Sequence, residues 1–369
     1  MSVTIKQVAS EAGVSIATVS RVLNDKGPIS EATRRRVEEV VARLHYVPHC
    51  AARSLITNRT NAIGVVLPDI HGEFFSEVIR GMDRTAWGNG YHLLVSSSHA
   101  DRSGLEEVLR AIFGRVDGLI LMTPDVDGDT LRAFVPTRVP VVLLNCHDPG
   151  GAFDSIGVDN VGGARAMTRH LIARGHRRIA IVTGPAGNTD ARERLRGFRE
   201  ELATDDGPAV AGVELAGDFG EASGFDAGRR LLHLTPRPSA VFAANDSMAI
   251  GVLAALQEAG VRVPEEVAVA GFDDIPIARF IAPPLSSVSV DIAALGARAA
   301  ERVLGMLARG IDAQGVQETL ATSLVIRRSC GGPLDAGIAT SAAEISAVRK
   351  ANSRQGAGRG PTGLRRRAT

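Results

Sequence analysis

Several groups of reactive side chains in this sequence could do chemistry. His49 and Cys50 are adjacent, which would suit a metal site or a reactive thiol. No third ligand lies near them in the sequence. The three cysteines, at positions 50, 146 and 330, are too far apart for a CxxC metal motif or a disulfide framework. We therefore expect neither a metal centre nor a catalytic thiol at this pair.

Two further groups resemble catalytic or metal-binding motifs without satisfying them. Asp125, Asp127 and Asp129 alternate as in a calcium loop, but Pro136 stands where that loop needs a bidentate Glu. The serines and histidine of residues 96–99 could supply a nucleophile and a base, but neighbours on an extended segment point to different faces. A GxxxxGK[ST] phosphate loop is also absent from the sequence. We therefore predict a protein that is not an enzyme and has no cofactor.

Charge is distributed unevenly along the 369 residues, although the net charge is only +1. Residues 1–60 carry nine basic and five acidic side chains, residues 331–369 carry seven and two, and the segment between has a net charge of −8. A basic head on an acidic body indicates a polyanion bound at the head only. The sequence has no long apolar run and no N-terminal signal, so we expect a cytoplasmic protein without a membrane span.

Three short helices are predicted in the first 45 residues. Thr4 and Gln7 have capping-box spacing, and Gly13 stands where a left-handed residue would end the first helix. Ser15 and Ser30 are placed to cap the second and third helices. The short glycine-containing turn between the first two helices is typical of a helix-turn-helix. The local charge and the polar outer face of the second helix favour DNA binding over a three-helix bundle without such a role.

From residue 61, apolar runs alternate with amphipathic helices. Buried strands are predicted at 62–67, 92–96, 118–122, 141–145, 156–158, 179–182, 240–243 and 267–270. Near-continuous Val, Ile and Leu strands separated by helices indicate parallel sheets buried on both faces. About ten such strands exceed what one compact sheet usually holds, so two doubly wound lobes are expected. Residues 331–369, rich in Gly, Ala and Arg, are predicted to be a disordered basic tail.

The head closely resembles that of the lactose-repressor (LacI/GalR) family of bacterial transcriptional regulators, notably in TVSRVLN at 18–24. Further motifs follow in family order: YVP at 46–48, ARSL at 52–55, ND at 245–246, GFDD at 271–274 and PLSSV at 284–288. The resemblance implies an all-α helix-turn-helix head joined to an α/β two-lobed body like a periplasmic binding protein. It also implies a repressor, most naturally of carbohydrate uptake or catabolism genes, controlled by a small effector between the lobes.

The domain limits expected from this resemblance and from the pattern of strands are as follows. The head covers 1–47, the hinge helix and linker 48–60, the effector-binding and dimerisation body 61–330, and the tail 331–369. Lobe 1 takes about 61–160 and 289–319, and lobe 2 about 161–288 and 320–330, so that the chain crosses between the lobes three times.

The resemblance places Ile16, Ala17 and Arg21 toward base edges in the major groove. Their chemistry agrees, because Ile16 and Ala17 can contact a thymine methyl and Arg21 can make a bidentate contact to guanine. Contacts to phosphates are expected from a polar set: Ser15, Thr18, Asn24, Ser30 and Thr33. For Ser15 and Ser30, helix capping alone is the alternative.

The segment YVPHCAARSL at 46–55 is the predicted hinge. Pro48 separates it from the third helix, and the run 50–55 is too short to be helical alone in water, so we expect it to fold on DNA. The resemblance implies that Leu55 inserts between base pairs in the minor groove. We also expect Arg53 to contact the DNA backbone. His49 stands where the family more often has Asn or Ser, which cap better. A flexible linker is the alternative.

The resemblance also points to effector-binding residues of two kinds. Polar and aromatic side chains would contact the ligand: Phe74, Arg194, Phe219, Asn245 and Asp273. Three further carboxylates would line the same cleft: Asp69, Asp159 and Asp246. An arginine fork, carboxylate acceptors and aromatic faces suit a sugar or sugar-like metabolite. A purine is the alternative, since the two Phe rings could stack on a base. A surface ion pair for Arg194 and a capping role for Asp273 also remain open.

A homodimer on a palindromic operator is the expected assembly. One helix-turn-helix reads too few bases for strong selectivity, and two-fold symmetry matches a palindrome. Closure of the lobes on the effector would then change the spacing or order of the hinges. A stand-alone solute-binding protein is the remaining alternative, disfavoured by the helix-turn-helix and by the missing signal sequence.

Overall fold

The computed structural model describes residues 3–23, 27–46, 59–99, 102–123, 131–132, 134–135, 138–146, 150–204, 209–311 and 315–332. Its N-terminal head contains three helices, α1 (Ile5–Ala12), α2 (Ile16–Leu23) and α3 (Glu31–Arg43). The capping box at α1 is present, because Thr4 and Gln7 exchange side-chain to backbone hydrogen bonds. Gly13 ends α1 with a φ of 62°, which costs glycine little. The predicted helix-turn-helix is confirmed.

A separate small core holds the head together. Val8, Val19 and Val37 contribute one buried side chain from each helix. On the surface, Arg43 of α3 forms a 2.6 Å ion pair with Glu11 of α1. Because this pair is exposed, it contributes little beside the apolar burial. The valines therefore fix the angle at which α2 is presented to solvent.

The body follows the predicted alternation of strands and helices. Along the chain it runs β1 (Ala62–Leu67), α4 (Glu73–Gly88), β2 (His92–Ser97), α5 (Arg102–Ile112), β3 (Gly118–Leu121), β4 (Val141–Leu144), β5 (Asp154–Val158), α6 (Asn160–Ala173), β6 (Arg178–Thr183), α7 (Thr189–Thr204), β7 (Ala211–Ala216), α8 (Glu221–Leu232), β8 (Ala240–Ala243), α9 (Asp246–Glu258), β9 (Ala268–Asp273), β10 (Ser286–Ser289), α10 (Ile292–Arg309), β11 (Gln317–Leu320) and β12 (Ser323–Val325). Short 3-10 helices cover Pro276–Arg279 and Arg328–Cys330.

The strands form two six-stranded sheets. Lobe 1 has the order β11-β5-β4-β3-β1-β2, and every pair is parallel. Lobe 2 has the order β12-β10-β9-β8-β6-β7, with β12 alone antiparallel to its neighbour. Helices cover both faces, so central strands such as β8 are buried along their whole length. This arrangement confirms the two-lobed α/β body.

The chain crosses between the lobes at three places. These lie between Val158 and Asn160, between Ser289 and Ile292, and between Leu320 and Ser323. The backbone N–H of Asp159 donates to the carbonyl of Leu320 at 3.0 Å. The first and third crossings therefore lie side by side and are hydrogen bonded to each other.

Two glycines let helices α4 and α10 pack backbone against backbone in lobe 1. A Cβ added to Gly81 would collide with the carbonyl of Ala293, and one added to Gly296 would collide with the carbonyl of Val78. Because carbonyl groups of a helix cannot move aside as a flexible side chain can, only glycine fits at these positions.

Candidate functional site

Helix α2 presents one polar face to solvent and buries the other. Val19 and Val22 face the core of the head, whereas Ala17 and Arg21 are exposed and Ile16 is 44% exposed. An isoleucine left open at the start of a short helix is available for an apolar contact with a partner. The three residues predicted to reach base edges therefore share the accessible side of α2.

The hydroxyl residues of the head lie at two helix N-termini. Ser15 accepts from the backbone N–H of Thr18 at 3.1 Å, and the two hydroxyls are 2.9 Å apart. Ser30 and Thr33 repeat this arrangement at α3. Capping thus accounts for both serines, while a helix N-terminus also favours an anion such as phosphate. Asn24, Arg53 and Leu55, with His49 and Cys50, lie outside the described residues, so the hinge stays a prediction.

Arg194 on α7 is a buried cation held by several contacts. Only 4% of it is exposed. Its Nε donates to Oδ1 of Asn160 at 2.9 Å, its Nη1 donates to the carbonyl of Ala244 at 2.6 Å, and its Nη2 lies 3.1 Å from Oδ1 of Asp273. The guanidinium also stacks 3.8 Å from the ring centroid of Phe272. These contacts are those of a fixed internal group and exclude the solvated surface ion pair.

Asp273, the partner of Arg194, ends strand β9 in a strained backbone conformation. Its φ is +105°, which is unusual for a residue with a Cβ. Burial raises the pKa of Asp273 to about 6, partly opposed by the charge of Arg194 and reinforced by Asp190. A carboxylate with little solvent and one cationic partner is well suited to accept hydrogen bonds from a ligand.

Asn245 and Phe219 are held by each other and by the start of α9. Asn245 accepts from the backbone N–H of Met248 at 2.9 Å and donates to the carbonyl of Phe219 at 2.9 Å. Phe219 has a φ of +74° and its ring centroid lies 6.0 Å from the Arg194 guanidinium. The amide of Asn245 thus supports the loop that brings Phe219 near Arg194.

Asp246 lies in the interior of lobe 2. It has no exposed surface, and its carboxylate accepts from the backbone N–H of Ile275 at 2.8 Å and from the Ser287 hydroxyl at 2.6 Å. Burial first, and then the charge of Asp273, raises the pKa of Asp246 well above its ordinary value. Asp246 therefore joins α9 to the segment that follows β9 and to strand β10, and it offers a ligand no accessible surface.

The other predicted cleft residues lie at chain segments after strands of lobe 1. Asp69 is exposed and accepts from the backbone N–H groups of Ile70 and His71. Asp159 is exposed and caps α6 by accepting from Gly162 at 2.8 Å. The ring of Phe74 is partly buried and packs edge-on against Phe75 at 5.5 Å. Both aspartates thus have local structural partners.

Three polar residues that sequence reasoning missed extend the network from Arg194 into lobe 1. Asn145 follows β4 and donates from Nδ2 to Asp190 at 3.1 Å, while Asn160 donates to the other oxygen of Asp190 at 2.9 Å. Burial raises the pKa of Asp190, and Arg194 opposes that rise. Oδ1 of Asn145 is buried without a hydrogen-bond partner among the described residues. Their positions in the sequence could have indicated two of these residues, because Asn145 and Asn160 both follow the carboxyl ends of parallel strands, where ligands bind.

A cavity of about 310 Å³ opens between the lobes beside this network. Both lobes line it with mostly polar side chains, among them Asn145, Ser155 and Gln317 from lobe 1 and Asn160, Asp190 and Glu193 from lobe 2. A second contact between the lobes lies elsewhere, where the backbone N–H of Ile277 donates to Glu73 at 2.9 Å. The interface between the lobes is thus polar on at least two sides.

The described part of the chain contains neither a cluster of metal ligands nor a membrane-spanning helix. Within it, no three His, Cys, Asp or Glu side chains come close enough together to hold a metal ion. No helix among the same residues is both long and apolar enough to cross a bilayer.

Comparison with known families identifies both parts of the chain. Residues 4–49 match the model for bacterial regulatory proteins of the lacI family, and residues 168–330 match a periplasmic binding protein-like domain. The first match covers the helix-turn-helix, and the second covers most of lobe 2 together with the last two crossings.

Individual relatives extend the match over most of the chain. The ribose operon repressor of Escherichia coli K12 is 39% identical over 288 residues, 77% of this chain and 87% of the relative. A crystal structure of the lac repressor dimer bound to operator and an anti-inducer has a TM-score of 0.79 and 31% identity, covering 89% of this chain and 99% of that one. A ribose-bound LacI family regulator from Enterococcus faecium has a TM-score of 0.65 and 26% identity, covering 73% and 98%. The chain therefore belongs to the LacI family and is a DNA-binding transcriptional regulator with a helix-turn-helix head and a two-lobed body.

Proposed function

We propose that this regulator is a repressor controlled by a small sugar bound between its lobes, with D-ribose as the first candidate. The observation that carries the proposal is the Arg194–Asp273 pair, fixed over Phe272 at the carboxyl ends of the lobe 2 strands. In open parallel sheets, ligands bind at this edge. The similarity to a ribose operon repressor and to a ribose-bound regulator supports the choice of sugar.

The hydrogen-bonding capacity of the pair matches a polyhydroxylated ligand. A guanidinium has five N–H donors, and the hydrogen bonds of Arg194 to Asn160 and Ala244 use two of them, while Nη2 forms the ion pair with Asp273, so donors remain for ligand hydroxyls. Asp273 and Oδ1 of Asn145 supply acceptors, and Phe74 and Phe219 supply apolar faces. Asn245 and Asp246 would act by holding this arrangement, whereas Asp69 and Asp159 would contribute at its margins.

The head would dock through the exposed face of α2. Ile16, Ala17 and Arg21 would meet base edges, because they share that face. The two capped N-termini, at Ser15 and Ser30, would bind phosphates together with Thr18 and Thr33. The head would end near residue 47 and the hinge near residue 60, with the lobes divided close to the three crossings.

Homodimerisation would bury apolar side chains that the single chain leaves open. Trp87 in lobe 1 is 68% exposed and Phe280 in lobe 2 is 71% exposed. Aromatic side chains are enriched at protein interfaces, which fits a buried position for these two rings in a dimer. The dimeric lac repressor structure supports a second copy of the chain as the partner. Sedimentation of Trp87→Glu and Phe280→Glu proteins tests this, since each change should weaken the dimer.

The effector is tested by calorimetric titration of the full chain with D-ribose, D-galactose and adenine, followed by operator gel shifts. Saturable binding of a sugar that changes operator affinity supports the proposal. Binding of adenine without any sugar would replace the sugar with a purine, since Phe74 and Phe219 can also stack on a base. A chain that binds neither class would contradict the proposed effector.

A further inference from the structure

Asn160 lies one residue after the first crossing between the lobes and contacts three charged side chains. It is only 2% exposed. Its Oδ1 accepts from Nε of Arg194 at 2.9 Å. Its Nδ2 donates to Asp190 at 2.9 Å and to Glu193 at 3.2 Å. One amide thus holds a cation through its oxygen and two carboxylates through its nitrogen.

The backbone next to Asn160 is tied to another crossing. Asp159 donates its N–H to the carbonyl of Leu320, and its carboxylate caps the first turn of α6. Asn160 is the first residue of that turn. Its position is therefore fixed on one side by the crossings, about which the lobes would rotate, and on the other by Arg194 and Asp190.

We propose that Asn160 is a positioning residue that couples effector occupancy to the angle between the lobes. The inference rests on the proposed function, in which Arg194 binds the effector. A ligand that draws Arg194 toward itself displaces the amide of Asn160, and the amide moves the first turn of α6 at the crossing. An amide is needed, because Asp lacks the donor for Asp190 and Ala lacks both groups.

The test compares Asn160→Ala and Asn160→Asp with Thr168→Val in the full-length protein. Thr168 is a matched control, because it is buried on the same helix and its hydroxyl donates to the local carbonyl of Ala164. The operator Kd is measured without sugar and with saturating D-ribose, and the ratio of the two reports coupling. The Tm of each protein reports structural damage.

We expect Asn160→Ala to lower the coupling ratio about tenfold, a common size for coupling between two sites. Asn160→Asp keeps the acceptor for Arg194 but loses the donor, so it should retain part of the ribose affinity while losing most of the coupling. Thr168→Val should keep the wild-type ratio. A merely structural role would lower the Tm and leave the ratio at saturating ribose unchanged, and that result would overturn the inference.

The two proposals can fail separately. If wild-type protein does not respond to ribose, the proposed effector is wrong, and operator affinity without sugar then decides the role of Asn160. We expect that affinity to change in Asn160→Ala, because the lobes lose the tie at the crossing, and to stay constant in Thr168→Val. If Asn160→Ala binds the operator without sugar as tightly as Thr168→Val does, the coupling role of Asn160 is overturned.

Discussion

Asn145 of lobe 1 donates a 3.1 Å hydrogen bond to Asp190 of lobe 2, across the boundary between the two sheets. The acceptor is a carboxylate whose pKa burial has raised. A neutral donor opposite this group stabilises the approach of the lobes, whereas a second carboxylate would oppose it. The charge of residue 145 should therefore influence how firmly the lobes close.

Replacing Asn145 by Asp should destabilise the closed arrangement at neutral pH. Two carboxylates then face each other at hydrogen-bond distance, and the repulsion should weaken at lower pH as one of them takes up a proton. We expect the Tm deficit relative to wild type to be larger at pH 7.5 than at pH 5. Asn145→Ala, which removes the bond without adding charge, should show a deficit that changes little with pH.

Asp273 should make the protein less stable as the pH rises from about 4 to about 6. Its pKa is about 6 in the folded chain against an ordinary 3.8, so the folded state holds more protons than the unfolded state within this window. The free energy of unfolding therefore falls by about 3 kcal/mol in total as the pH rises through this window. Above the window the contribution of Asp273 no longer changes with pH. Urea unfolding of wild type and Asp273→Asn at several pH values measures the difference.

Asp273→Asn is the reference for the pH dependence of the free energy of unfolding, because Asp190 and Asp246 titrate in this variant as well as in wild type. Subtracting one curve from the other leaves the contribution of Asp273. The difference between wild type and Asp273→Asn should change with pH in the stated direction. A difference that is constant from pH 4.5 to pH 7 would contradict the raised pKa of Asp273.

Arg194→Lys should weaken sugar binding by about tenfold or more, although the positive charge is kept. A lysine cannot hold Asn160, Asp273 and the ligand with one planar group, because its ammonium is a single point of contact. Calorimetry with D-ribose measures the loss. Arg199→Lys is the matched control on α7, since Arg199 is exposed, pairs with Glu214 at 2.7 and 2.8 Å and does not line the cavity between the lobes. Equal affinity in the two variants would count against Arg194 as a ligand-binding group.

Arg21→Ala should cost about 1–3 kcal/mol of operator binding and relax sequence preference at one base pair. The reason is that Arg21 shares the exposed face of α2 with Ile16 and Ala17. Gel shifts against the operator and single-base variants of it measure both effects. Arg35→Ala, on α3 and paired with Glu31 at 3.5 Å, should weaken binding to all sequences alike or not at all. If Arg21→Ala lowers affinity equally for every sequence, Arg21 contacts phosphate and does not read a base.

Gly81→Ala should destabilise the protein by about 1–3 kcal/mol or more, because the added methyl meets the backbone carbonyl of Ala293. Gly88→Ala on the same helix is the control, since nothing lies within 4 Å of a Cβ there. Alanine favours helix over glycine by up to about 1 kcal/mol, so this second change should be neutral or stabilising. Thermal unfolding of both variants separates local helix propensity from the close contact of α4 with α10.

Burial explains which strands could be predicted from the sequence. Seven of the eight predicted apolar runs matched strands that are largely buried, such as β3 and β8, and the eighth matched the edge strand β2, whose residues are half-buried or exposed. Strands β7 and β11 lie at sheet edges and contain exposed or polar residues, so they have no apolar run. Strand β10 is central but reads SSVS, and its serines are buried because Ser286 bonds Arg327 and Ser287 bonds Asp246. A hydropathy pattern cannot show such pairing.

The candidate site was only partly visible for a related reason. Arg194 and Asp273 were expected in the cleft, and the structure places them 3.1 Å apart. The same reasoning treated Asp246 as accessible, whereas it is internal. Whether an aspartate faces a cleft or the core depends on partners distant in sequence, here Ile275 and Ser287. Asn145, Asn160 and Asp190 were missed because only the folded chain brings them together.

The three crossings also determine when each lobe can be completed during synthesis. Both lobes are built from segments distant in sequence, since β11 completes the first sheet and β12 completes the second. A ribosome must therefore release the chain as far as Leu320 before the first sheet has its last strand, and as far as Val325 before the second has its own. The head, whose core lies within residues 3–46, has no such delay. The nascent regulator thus has its DNA-binding head before it has either half of the body that controls it.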